Sequence, residues 1–218
     1  MKKVSALPLM IFLAMLFSAC SAMEVPLPGG RRALFHDEFV QGFTGNWMLE
    51  DDELGSSVIV PEHLIIELNA PNTIQYATLV EPTFSDFTLE VEAQLVTGSL
   101  ISTYGVLFRM QSPEEFYRFA VTGDGMYLLE RHSSDGARFR FMDDWRDTVA
   151  INQGLGATNS LKVVADGPTI AIYVNDTLLE EVTDESYGAG NIALDAGTFD
   201  GAGTQVLFDN LAVYPPDD

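Results

Sequence analysis

No apolar pattern at helical spacing persists for three turns anywhere in this 218-residue chain. Apolar and polar residues instead alternate over short stretches, each closed by Gly, Pro, Asn or Asp, which is the pattern of half-buried β-strands. The densest such stretch runs from Tyr104 to Trp145. Gly105–Met110 and Phe116–Val121 read as strands. Gln111-Ser112-Pro113-Glu114 separates them, because Pro113 has no N–H for a ladder. Thr122-Gly123-Asp124-Gly125 and Ser133-Ser134-Asp135-Gly136 carry tight-turn chemistry. An antiparallel meander is the expectation, with one face in a core and one face free to touch something else.

Strands are also expected at Leu34–Val40, Trp47–Glu50, Ser57–Val60, Leu64–Leu68, Thr73–Leu79 and Phe87–Val96. Beyond the meander come Ser160–Ala165, Ile170–Val174, Leu178–Val182, Asn191–Ala196 and Val206–Tyr214. Asn175-Asp176 between two apolar runs supplies the two positive φ angles of a two-residue hairpin. Asn175-Asp176-Thr177 also fits a glycosylation acceptor, and the turn reading is preferred. Many short strands at regular spacing predict an all-β, two-sheet antiparallel β-sandwich and not βαβ units.

The first twenty residues stand apart. Lys2 and Lys3 precede the apolar run Val4–Phe17, too short to span a bilayer and suited to a signal peptide. It ends Phe17-Ser18-Ala19-Cys20, which resembles a lipobox with Phe17 in place of the usual Leu. Cys20 is the only cysteine, so no internal disulfide forms. The domains expected are therefore a leader over 1–19, a lipidated Cys20 with a Pro- and Gly-rich tether over 20–32, and a β-sandwich over 33–216. Lipid on Cys20 places the domain outside the cytoplasm, held to the cell membrane or outer membrane without a spanning segment. A plain secretory signal with cleavage at a later site is the competing reading.

The formal net charge is −21, and loss of Lys2 and Lys3 with the leader takes it to −23. A field of this sign repels phosphate, which excludes nucleic acid and anionic headgroups as partners. With 47% hydrophobic and 11% aromatic residues the chain has ample material for a core, which excludes disorder.

YGVLFRMQSPEEFYRFAVTGDG, SLKVVADGPTIAIYVNDTLLEEV and GNIALDAGTFDGAGTQVLFDNLAVY resemble the concanavalin A-like lectin/glucanase superfamily. Within it they are similar to the laminin-G-like and 3-keto-disaccharide hydrolase-like domains of bacterial lipoproteins. The resemblance covers Leu34 to Pro215. It implies a jelly roll of two curved sheets whose hollow face binds or cleaves sugars in many members. Glu90-Val91-Glu92-Ala93-Gln94 resembles the E-x-D-x-E strand of the superfamily's β-glucanases. Residues 90, 92 and 94 share one face at about 6–7 Å steps, the spacing that retaining hydrolysis needs. Gln94 breaks the motif, because an amide cannot donate and recover a proton. Glu90, Glu92 and Gln94 read equally as the solvated side of a strand whose Val91, Ala93 and Leu95 fill the core. No catalytic residue is assigned.

A binding site has more support. Arg109, Arg118, Arg131, Arg138, Arg140 and Arg146 crowd the meander of a strongly acidic chain, interleaved with Tyr104, Phe116, Tyr117, Tyr127, Phe139, Phe141 and Trp145. Aromatic faces suit the C–H side of a sugar ring and guanidinium groups its oxygens. Alternation puts Val106, Phe108 and Met110 in the core with Leu107 and Arg109 outward, and Phe119 and Val121 in the core with Arg118 outward. The candidate ligand-binding residues are Arg109, Arg118, Tyr127, Arg131 and Trp145. Arginines that merely neutralise Glu114, Glu130 and Asp143 are the competing reading. No organic cofactor is expected. A structural calcium is the one ion considered, with Asp37 and Asp209 as ligands where the terminal strands pair. The expected role is non-catalytic binding of a glycan or polysaccharide. A glycoside hydrolase of the 3-keto-disaccharide group and a structural or adhesive envelope module are the alternatives.

Overall fold

The computed structural model describes residues 32–40 and 44–216. The expected leader, Cys20 and the tether as far as residue 31 lie outside the described residues. Sixteen strands and no helix are described: β1 (Phe35–Asp37), β2 (Asn46–Met48), β3 (Gly55–Val60), β4 (His63–Leu68), β5 (Ile74–Phe84), β6 (Phe87–Thr97), β7 (Thr103–Ser112), β8 (Glu115–Thr122), β9 (Met126–His132), β10 (Arg138–Arg140), β11 (Arg146–Asp147), β12 (Thr158–Asp166), β13 (Thr169–Val174), β14 (Thr177–Thr183), β15 (Gly190–Gly197) and β16 (Thr204–Tyr214). They form two antiparallel sheets. The first runs β14-β13-β12-β6-β16-β4-β3, with β1 on β16. The second runs β10-β9-β8-β7-β15-β5-β2, with β11 beside β10 on the edge of β9. The protein is an all-β sandwich, as its period-2 patterning predicts.

The core lies between the sheets. Leu64, Ile66 and Leu68 of β4, Leu89, Val91 and Leu95 of β6, and Val206 and Phe208 of β16 meet Leu79, Val106, Phe108, Phe119, Val121 and Leu194 of the second sheet, all fully buried. Each such side chain contributes about 1.5–3 kcal/mol on leaving water. Alternation then sends Glu90, Glu92 and Gln94 to the outer side of the first sheet, where Lys162 Nζ lies 3.5 Å from Glu90 and the Gln94 amide donates to Gly156 O. The strand whose motif resembles a glucanase is thus an ordinary half-buried strand. Asn175 and Asp176, at φ +47° and +62°, make the expected hairpin between β13 and β14.

Simple alternation fails at one place in β7. Arg109 takes φ +47°, and the ladder to β8 shifts register between Phe108 and Ser112. This bulge re-aims the rest of the strand. Met110, expected beside Phe108 in the core, packs instead with Leu107, Phe116 and Ala193 on the outer face of the second sheet. Arg109, expected outward, is 1% exposed and clasps one end of the sandwich. It donates to Ser85 O at 3.0 Å, to Tyr187 O at 3.2 Å and to Asp86 Oδ1 at 3.2 Å.

Candidate functional site

Register assigns the outer face of the second sheet. Arg118 stands opposite Leu107 and Glu130, Asp195 opposite Gly105, and Gly197 opposite Thr103. Arg118 and Asp195 therefore sit on strands either side of β7, and Gly105 has no side chain to separate them. The guanidinium bridges the gap. Its Nε lies 2.8 Å and its Nη2 2.6 Å from Asp195 Oδ2, and Nη2 donates to Thr103 Oγ1 at 2.9 Å. On the other side Nη1 lies 3.6 Å from Glu130 Oε1, which His132 Nε2 meets at 2.9 Å. The His132 ring stacks on Phe116, 4.5 Å between centroids.

Two carboxylates thus share one guanidinium, and all three groups are at most 5% exposed. Burial opposes the charge on Arg118, but Asp195 and Glu130 outweigh it and raise its pKa above the ordinary value. Burial also works against Glu130, yet its bond to His132 and the nearby Arg118 hold it below the usual carboxylate range. Asp195 takes the penalty. Full burial pushes it upward further than Arg118 pulls it back, and its Oδ1 is buried with no hydrogen-bond partner.

Above this floor lies a cleft of about 300 Å³. Thr103, Arg118, Leu128, Glu130 and Gly197 form its base, and Asn72, Ile74, Arg138, Arg140, Trp145, Thr198 and Phe199 its walls. Its size is at the lower end of small-ligand sites. Both wall loops are tied down locally. Arg140 Nη1 donates to Asp144 Oδ1 at 3.0 Å, and the same oxygen accepts the Trp145 N–H at 2.9 Å, which closes the excursion between β10 and β11 over the cleft. The Thr198 N–H donates to Thr73 O at 2.9 Å and the Asn72 N–H to Phe199 O at 2.8 Å, so the β15–β16 loop is held against the chain before β5. Trp145 and Phe199 meet edge to face, 6.4 Å between centroids. Gly197 must lack a side chain, because a Cβ there would come within 2.5 Å of Thr103 Oγ1.

The five expected ligand residues divide. Arg118 and Trp145 line this cleft. Arg109 does not, being held at one end of the sandwich by Ser85, Asp86 and Tyr187. Tyr127 points between the sheets and donates its hydroxyl to Glu180 Oε1 at 3.1 Å. Arg131 also faces inward, against Asp184 at 2.6 Å and over the Phe139 ring at 5.3 Å. Arg138, Arg140, Glu130 and Phe199 join the site instead. The first two share a face by alternation alone, but Phe199 sits in a glycine-rich turn with no periodic signal.

Of the two residues considered for calcium, Asp37 is buried and accepts the Phe39 N–H, the Gly45 N–H and the Trp47 Nε1–H at 2.7–2.8 Å, pinning the turn before β2. Asp209 lies on the outer side of the first sheet, 3.8 Å from His63 Nδ1. Among the described residues no group of three or more His, Cys, Asp or Glu is placed to hold a metal ion.

Residues 30–213 match the family of 3-keto-alpha-glucoside-1,2-lyase-like domains. The chain belongs to that family. The match spans all sixteen strands except the last residue of β16, so the cleft lies within the 3-keto-alpha-glucoside-1,2-lyase-like domain. No curated protein sequence matches the chain. The fold of the domain is similar to that of the carbohydrate-binding module CBM66 from Bacillus subtilis, at TM-score 0.63 and 17% identity over 78% of this chain and 96% of the module. It is similar too to the catalytic domain of an endo-1,3-beta-glucanase (laminarinase) from Thermotoga petrophila, at TM-score 0.60 and 13% identity over 86% of this chain and 99% of that one. An endo-beta-1,3-glucanase from Pyrococcus furiosus matches at TM-score 0.62 and 15% identity, over 86% and 96%.

Proposed function

We propose that this domain binds a glycan in the cleft on its second sheet, outside the cytoplasm and held at a membrane by lipid on Cys20. The observation that carries the reading is the pairing, in one hollow, of two aromatic side chains with three arginines. Trp145 and Phe199 offer ring faces and edges to the C–H side of a sugar. Arg118, Arg138 and Arg140 offer N–H donors to its oxygens. Arg118 is fixed by Asp195 and Thr103, so a hydrogen bond from its Nη1 costs little side-chain entropy. Likeness to a carbohydrate-binding module and to glucanases supports the substrate class.

A glycan array with the soluble domain starting near Arg31 tests this. Trp145→Ala and Arg138→Ala should each lower the signal at least tenfold. Full signal in the double variant would move the site elsewhere. Cys20→Ala should shift the protein from the membrane to the soluble fraction, and unchanged fractionation would remove the anchor.

A second reading, cleavage of the bound sugar, draws on the family and on one observation. Glu130 forms part of the cleft base with its carboxylate bonded to His132, a pair able to move a proton. Loss of turnover in Glu130→Gln, with sugar affinity retained, would favour it over binding alone.

A further inference from the structure

The cleft does not end at Trp145 and Phe199. On their far side lies a second hollow, lined by Ile101, Thr122, Asp124, Met126 and these same two rings. Its chemistry is different. Ile101 and Phe199, which line it, are 38% and 44% exposed. Most polar groups at its rim are engaged: Thr122 Oγ1 donates to Asp124 Oδ1 and accepts the Met126 N–H at 2.9 Å, and the Asp124 N–H donates to Leu100 O at 3.0 Å, while the exposed Asp124 carboxylate stands at its edge. A sugar hydroxyl entering this half would give up water and find few partners, an unfavourable exchange. An apolar group would gain from the same surroundings.

We infer that the ligand is a glycoside carrying an apolar aglycone. The sugar lies over Arg118, Arg138 and Arg140, and an aryl or alkyl group passes the Trp145–Phe199 pair to rest on Ile101 and Met126. This rests on the proposed sugar site and adds the class of its second component. The shared wall is the reason to commit to one occupant. Two hollows on either side of a common pair of rings offer a polar half and an apolar half, and a single amphiphilic molecule laid across the rings matches both.

The test is an affinity panel of common hexosides and hexuronosides, each as the methyl and as the phenyl glycoside in both anomers. Trp47→Phe leaves Trp145 as the only tryptophan, so its fluorescence reports occupancy directly, and calorimetry checks the constants. The phenyl glycoside should bind about tenfold more tightly than its methyl counterpart, the gain from covering about 60 Å² of apolar surface. Ile101→Ser and Met126→Ser should each reduce that advantage while leaving methyl glycoside affinity unchanged. Equal affinity of the two members of a pair would overturn the inference and leave the sugar site standing. So would an advantage that survives both serine variants. Absence of binding by every member of the panel would overturn the inference and the sugar site together.

Discussion

Replacing Arg118 by Met is the sharpest perturbation of the cleft floor. Methionine replaces the aliphatic stem but not the guanidinium, and it leaves Asp195, 0% exposed, and Glu130, 3% exposed, without their shared cation. Removing one partner of a buried ion pair costs about 3–5 kcal/mol, because the remaining charge stays out of water uncompensated. At roughly 2–4 °C per kcal/mol for a domain of this size, the melting temperature should fall by roughly 6–20 °C. The deficit should also depend on pH. Without the guanidinium both carboxylates are pushed up, so the folded variant takes up protons at a pH where its unfolded chain, titrating near 4, has released them. The loss is therefore full at high pH and shrinks as pH falls through the raised values. Urea unfolding at pH 8 and pH 5 reads this directly. A second variant, Arg118→Met with Asp195→Leu, removes cation and orphaned anion together and should regain most of the loss. A deficit below 1 kcal/mol at pH 8, or one equal at both pH values, would refute the reasoning.

Gly197→Ala should cost about 1–3 kcal/mol and weaken ligand binding, since the new methyl would crowd Thr103 Oγ1; adding Thr103→Ala should relieve both effects in urea and binding assays. Burial pushes the Tyr104 and Tyr117 phenols up to about 12. Both should stay about nine-tenths protonated at pH 11, so Tyr117→Phe should subtract only about a tenth of one tyrosinate's 295 nm absorbance there, and stability should fall as pH rises above about 10, where the unfolded phenols ionise. Glu90→Gln with Glu92→Gln alters only the outer side of the first sheet, and glycan affinity should remain within twofold of the parent; a tenfold loss would relocate the site.

Much of the fold is legible in the sequence because a strand with one wet face must alternate. Phe87–Val96 and Leu64–Leu68 alternate cleanly and lie where expected, and Asn175-Asp176 announces its own turn. The site is less legible because its parts meet across strands. Arg118 and Asp195 are separated by 77 residues and join only through the register of β8, β7 and β15. An aspartate inside the apolar run Asn191–Ala196 is a local signal of a buried partner, but not of which one. Arg109 defeats pattern reading outright, since a single residue at positive φ reverses the faces of its successors in the strand. Tyr127 and Arg131 do share a face, but it is the one turned toward the first sheet.

The double use of β9's free edge has a consequence for engineering. Two short segments, Arg138–Arg140 and Arg146–Asp147, occupy that edge, and the detour between them carries Trp145. They also cap a row of backbone groups on which a neighbouring copy could otherwise grow. Excising Phe141–Trp145 to abolish ligand contact would thus risk unmasking a sticky border, and such a deletant would precipitate for reasons unrelated to sugar. Point changes at Trp145 leave the guard in place and keep recognition separable from self-association.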